Sequence, residues 1–134
     1  MGAIFAELLT VARKINNYEA DATGGTLWTS TTTFRATCPA GKRWFLLGGM
    51  VLRDVSGTCA IMLYDTANKI IQRLASETAG TTAFAYPSQT AVAAAQAPVG
   101  TLLILDVGEY LQMTFGAAQS TAAYASCVVL EVDV

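Results

Sequence analysis

At 134 residues the chain is sized for one domain, long enough to bury about two-thirds of its unfolded surface without staples. Apolar residues make up 53% of it and charged residues only 13%, against roughly 25% charged in an ordinary soluble domain. The net charge of −2 offers no basic stripe for phosphates and speaks against a nucleic-acid module, while the absence of histidine removes the commonest general base and every Ser–His or Cys–His mechanism.

The surface that replaces charge is Thr, Ser, Gln and Ala, groups that are cheaper to desolvate than Lys or Glu. Such a surface suits burial against partners, and an oligomer is the simplest expectation. No apolar run reaches the ~18 residues of a membrane helix. Glu7 interrupts the N-terminal apolar stretch and Arg13-Lys14 follow it, the reverse of a secretory signal. Gly2 invites a myristoylation reading, but Ala6 stands where that motif wants Ser or Thr. A soluble protein made in a cytoplasm is expected. Cys38, Cys59 and Cys127 are odd in number and widely spaced, a poor disulfide framework and a poor zinc site, and are read as buried thiols.

In chain order, Ala3 to Ile15 places Ile4, Phe5, Leu8, Val11, Ala12 and Ile15 on one face of an amphipathic helix, with a short strand around Leu8–Val11 as the competing reading. Asn16-Asn17 and Gly24-Gly25 read as loop. Residues 1–25 are thus expected to be an N-terminal arm and linker, and 26–134 a β domain. Such an arm either grips a neighbour or packs on its own domain. If it grips, Ile4, Phe5, Leu8 and Val11 are the anchoring residues.

From Thr26 the texture is β. Thr26 to Thr37 is Thr-rich with Trp28 and Phe34, suiting a pleated, half-buried surface. Cys38-Pro39-Ala40-Gly41 is turn chemistry, and Lys42 to Asp54 is a long apolar strand in which Gly48-Gly49 predicts a bulge or a close backbone approach. Thr58–Tyr64 and Lys69–Ala75, joined by the polar residues Asp65 to Asn68, predict a hairpin. Ser76 to Gly100 is irregular, with a short strand near Phe84 and Tyr86 and an exposed crossover at Ala91–Ala97. Thr101–Leu105, Glu109–Phe115 and Tyr124–Val134 supply three further strands. Pro39-Ala40-Gly41 leading to Trp44-Phe45, and Asp106-Val107-Gly108 leading to Tyr110-Leu111, are similar Gly turns feeding aromatic-aliphatic strands, as at two equivalent corners of a folded-over sheet. The expected fold is all-β, a jelly-roll-type β-sandwich of about eight strands.

Chemistry has few places to reside. Asp106 and Glu109 flank a turn and are the one carboxylate pair for a glycan-cleaving mechanism, but turn carboxylates ordinarily cap their own backbone. Asp54 and Asp65 sit beside turns and read the same way, and Asp65 with Asn68 lacks the further oxygens of a calcium loop. The Gly residues mark turns and form no phosphate loop. No catalytic residue, metal site or cofactor is expected. Trp28, Trp44, Tyr64, Phe84, Tyr86, Tyr110, Phe115 and Tyr124 could line a sugar- or receptor-binding face of a tail or fibre domain, although aromatics at strand spacing more often fill a core or subunit interface.

At Pro39-Ala40-Gly41-Lys42-Arg43-Trp44, the strand after it, and Ile104–Phe115, the chain resembles small tailed-bacteriophage virion proteins, the head decoration or cement proteins and related adaptor or fibre-base domains with jelly-roll folds. The resemblance spans roughly Thr26 to Val134. It implies a homotrimer seated on the capsid lattice in the virion, with the major capsid protein and other virion proteins as partners and with neither nucleic acid nor membrane bound.

Overall fold

The computed structural model describes residues 14–22, 25–77, 83–87 and 102–134. Among these residues the β texture is realised as ten strands: β1 (Lys14–Asp21), β2 (Trp28–Ser30), β3 (Thr33–Thr37), β4 (Lys42–Leu52), β5 (Cys59–Tyr64), β6 (Ile70–Glu77), β7 (Phe84–Tyr86), β8 (Leu103–Leu105), β9 (Tyr110–Phe115) and β10 (Tyr124–Asp133). They form two antiparallel sheets. The first runs β1-β10-β4, with β7 and β8 pairing successive stretches of β4; the second runs β2-β3-β9-β5-β6. The expected all-β sandwich is therefore present.

Period-two alternation builds both sheets. Along β5, Cys59, Ile61 and Leu63 are buried while Ala60, Met62 and Tyr64 are partly exposed. Along β9, Leu111, Met113 and Phe115 enter the core, and along β10, Ala125, Cys127 and Val129 meet them from the other sheet. Trp44, Phe34, Ile61 and Leu105 fill the middle with essentially no exposure. All three cysteines are free and buried.

The strand pairs are nested. β5 pairs with β6, β4 with β7 and β8, β3 with β9, and β1 with β10, as rungs of one long hairpin folded over itself. Successive rungs alternate between the two sheets. The chain must therefore turn corners, and the two Gly turns read from the sequence are two of them. Gly41 (φ 76°) lies between β3 and β4, and Gly108 (φ 84°) between β8 and β9, both in the left-handed region open to glycine. The corners are neighbours: the Cys38 N–H donates to the Glu109 carbonyl at 2.9 Å, and the Gly108 N–H to the Cys38 carbonyl at 3.0 Å.

Gly48-Gly49 is both a bulge and a close approach. The β4–β10 register shifts between Val128 and Val129, and a Cβ at Gly49 would run into the Ser126 carbonyl oxygen and the Tyr86 hydroxyl. The predicted β5–β6 hairpin is also formed. The Asp65 carboxylate accepts from the Ala67 and Lys69 N–H groups at 2.9 Å across its turn, and Asn68 takes the left-handed conformation.

Two expectations change. Asn16-Asn17 is strand, not loop: β1 pairs residue by residue with β10 from Lys14↔Glu131 to Asp21↔Tyr124. Its inward positions carry polar or aromatic groups, Asn16 and Tyr18, which find partners at Glu131, so the apolar alternation that announces a strand is missing. Part of the expected linker thus belongs to the sandwich. The strand count also exceeds eight, because Thr26–Thr37 divides at Thr31-Thr32 into β2 and β3. The expected anchors Ile4, Phe5, Leu8 and Val11, and the crossover at Ala91–Ala97, lie outside the described residues.

Candidate functional site

The carboxylates considered for chemistry are engaged at turns and corners. Asp106 accepts a hydrogen bond from the exposed Arg43 guanidinium at 2.6 Å, and Glu109 accepts from the Asp106 N–H at 2.7 Å, closing its own turn. Asp54 accepts from the Ser120 N–H at 3.0 Å and from its hydroxyl. Among the described residues no three Cys, Asp or Glu side chains converge as a metal site would require. Of the aromatics considered for a sugar face, Phe84 and Tyr124 are partly exposed. Trp28, Trp44, Tyr86, Tyr110 and Phe115 are buried, and Tyr64 is only partly exposed and stacks on Tyr110 with ring centres 5.1 Å apart.

One acidic group does lie inside. Glu131 follows Cys127 and Val129 on the inward face of β10 and is 5% exposed. Its Oε2 accepts from the Tyr18 hydroxyl at 2.6 Å and the Trp44 Nε1 at 2.9 Å, and its Oε1 from the Asn16 amide at 3.1 Å. Burial pushes this carboxyl up, but these donors and Lys42 outweigh it and hold the pKa below its ordinary value. Burial, then the Glu131 hydrogen bond, pushes Tyr18 up to about 12, and burial, then the Glu131 charge, pushes the Cys38 thiol to about 11. The carboxylate stays ionised, its neighbours stay neutral, and both its oxygens are engaged. Glu131 is a pin joining β1, β10 and β4. Sequence reasoning passed over it, although an acid in phase with Cys127 and Val129 is a readable signal.

The outward face of the first sheet carries several exposed apolar residues. The register aligns Ile15, Leu130, Phe45 and Ile104 side by side across β1, β10, β4 and β8. These positions alternate with the inward Val129, Trp44, Leu46 and Leu105, so the stripe points away from the core. Its flanks are open, Ile15 at 58% and Ile104 at 42%, yet Leu130 is 1% exposed and Phe45 8%. With Val132 these two form a small apolar cluster of their own, separate from the main core. Further along the same face Met50 (48%) and Leu52 (39%) stand in solvent, with Leu47 beside them. The outward face is thus divided: an apolar stripe crosses the end at Ile15, Leu130, Phe45 and Ile104, while Asn17, Glu19, Ser126 and Tyr124 carry polar groups on the same face, with Tyr124 and Asn17 donating to the Glu19 carboxylate. The signal was present in the sequence as unbroken apolar runs, Phe45-Leu46-Leu47, Leu103-Ile104-Leu105 and Val128-Val129-Leu130, where a one-sided sheet would alternate.

The second sheet shows the contrasting arrangement. Behind Ala36, Leu111 and Met113 its outward positions are Arg35, Gln112 and Thr114. Arg35 donates through Nε (3.0 Å) and Nη2 (2.6 Å) to the Gln112 amide oxygen, and its guanidinium lies 4.3 Å from the centre of the Tyr110 ring. The centre of this back, at β3 and β9, thus carries polar pairs, while Ile70 and Ile71 stand exposed on the edge strand β6.

No protein-family model, curated protein or solved structure matches the chain.

Proposed function

We propose that the protein is a non-catalytic structural subunit of a virion: a capsid decoration or cement protein that seats as a homotrimer against the major capsid protein and stabilises a phage head. The observation that carries this reading is the first sheet's outward apolar face, with Met50, Leu52, Leu47 and Ile104 open to solvent. Several large apolar side chains exposed on one sheet face of a small, weakly charged domain support an interaction surface. The mechanism is burial of that face across subunit boundaries, at about 25 cal/mol per Å² of apolar area before association costs.

The nested pairing of β1–β10, β3–β9, β4–β8 and β5–β6, alternating between two sheets, supports a jelly-roll reading of the sandwich. That fold accords with the resemblance to tailed-phage decoration proteins. The carboxylate pairing described above supports a role without catalysis, since each group is occupied in a turn or at a corner. Ile4, Phe5, Leu8 and Val11 belong to this proposal as contacts to neighbouring subunits.

Co-sedimentation with shells assembled from the major capsid protein tests the role. Saturable occupancy at lattice points, lost in a Met50→Lys, Leu52→Lys double variant, is the expected result. Shells that leave the protein in the supernatant would remove the decoration reading.

A further inference from the structure

The two sheets have four edges, and among the described residues three of them are blunted. β7 and β8, which share one side of β4, have three residues each, and so does β2. β6 has eight residues, but its pairing with β5 slips between Ile61 and Met62 and again between Leu63 and Tyr64. β1 differs from all of these. It also has eight residues, it pairs with β10 from Lys14 to Asp21 without a shift, and it contains no proline. Short or bulged strands close a sheet edge to other chains, whereas a long regular edge is a template for one more strand.

The ladder shows which groups this edge offers. The Ala22 N–H donates to the Ala123 carbonyl opposite it, and the Ser126 carbonyl faces Gly49 of β4. Bonding direction alternates along an antiparallel pair, so Asn16, Tyr18 and Ala20 bond to β10, while Ile15, Asn17, Glu19 and Asp21 turn their N–H and C=O groups away from it. The side chains of those same four residues are exposed on the sheet's outward face.

We propose that the β1 edge takes up an extended, basic segment of a partner protein as an added antiparallel strand. Charge decides the occupant. The exposed row runs Ile15, Asn17, Glu19, Asp21, with two carboxylates and no cation. A second copy of β1 fits poorly, because two-fold pairing about Asn17 or Tyr18 sets Ile15 against Glu19 or Asp21. A segment with an apolar residue opposite Ile15 and Lys or Arg opposite Glu19 and Asp21 answers the whole row. The carboxylates thereby refuse the copy and select the partner. This inference does not rest on the virion reading, since it uses the sheet's edge and not its apolar face.

A fluorescein-labelled peptide, Lys-Thr-Lys-Val-Thr-Thr-Val, written to run antiparallel from Asp21 to Ile15, tests the edge of the full chain by fluorescence anisotropy. Saturable binding is expected, weakened about tenfold when both lysines of the peptide become glutamate, because two attractive cross-strand pairs turn repulsive. Asn17→Pro removes an outward N–H without touching the β10 ladder, and should abolish binding with the far-ultraviolet circular dichroism unchanged. At exposed positions, Glu19→Lys with Asp21→Lys should reverse the preference between the two peptides. Absence of saturable binding, or equal binding by the natural chain and Asn17→Pro, would overturn the proposal. So would amide-exchange protection of Asn17 and Glu19 that grows with protein concentration when no peptide is present, since a second copy would then hold the edge.

Discussion

The two sheets share one core and differ on their backs. Behind the second sheet, outward positions of β3 and β9 are answered in the plane: Arg35 by Gln112 and Tyr110, Tyr110 by the Asn68 side chain at 2.8 Å, Gln112 by Thr114. Behind the first sheet, Ile15, Leu130, Phe45 and Ile104 line up with no polar partner among them. One back carries polar pairs at its centre and the other an apolar stripe. A β-sandwich needs only its inward faces to fold, so apolar residues on an outward face are what the proposed contact surface would use.

The sharpest way to break that contrast is to truncate its strangest member. Leu130→Ala should destabilise the chain by about 3 kcal/mol in urea denaturation, the range of a core leucine, despite its outward direction. Thr114→Ala on the other back should stay within about 0.5 kcal/mol. A Leu130→Ala effect as small as that of Thr114→Ala would contradict the burial of Leu130.

Next in size is the inward pin. Glu131→Ala strands the Trp44 N–H and the Tyr18 hydroxyl and should cost about 2 kcal/mol. Because the folded pKa of Glu131 lies below its unfolded value, its contribution is complete above the unfolded pKa of about 4.3 and is lost as pH falls through the folded one. Glu131→Gln should therefore flatten the acid limb of the stability–pH curve. Tyr18 acts at the other end with the opposite sign. Raised to about 12, its contribution is whole below pH of about 10 and fades as pH rises through about 12, and Tyr18→Phe should remove that alkaline decline.

The smallest effect belongs to the second sheet's back. Arg35→Ala gives up a hydrogen-bonded, half-exposed guanidinium and should cost under about 1 kcal/mol, with no change in oligomeric state. A change of assembly on that substitution would show that the polar back is an interface as well.

Much of the sandwich was legible in the residues. The hairpin at Asp65–Asn68, the Gly48-Gly49 bulge and the paired corners at Gly41 and Gly108 are local devices, and local devices leave local signatures. β1 was not legible, because Asn16 and Tyr18 occupy inward positions that are satisfied by Glu131 from the far end of the chain, a long-range fact with no short-range pattern. The outward stripe was half legible. Its runs were read as strongly β, but that Phe45 and Leu130 would stand beside Ile15 and Ile104 follows only from the register of four strands brought together from distant parts of the sequence.

Light scattering of the purified full chain tests most directly the proposal that the first sheet's outward face is an assembly surface. A single closed oligomer, a trimer, is expected, and Met50→Lys with Leu52→Lys should shift it toward monomer while Gln112→Lys with Thr114→Lys leaves it intact. A highly soluble monomer in all three chains, at every concentration tried, would contradict the account.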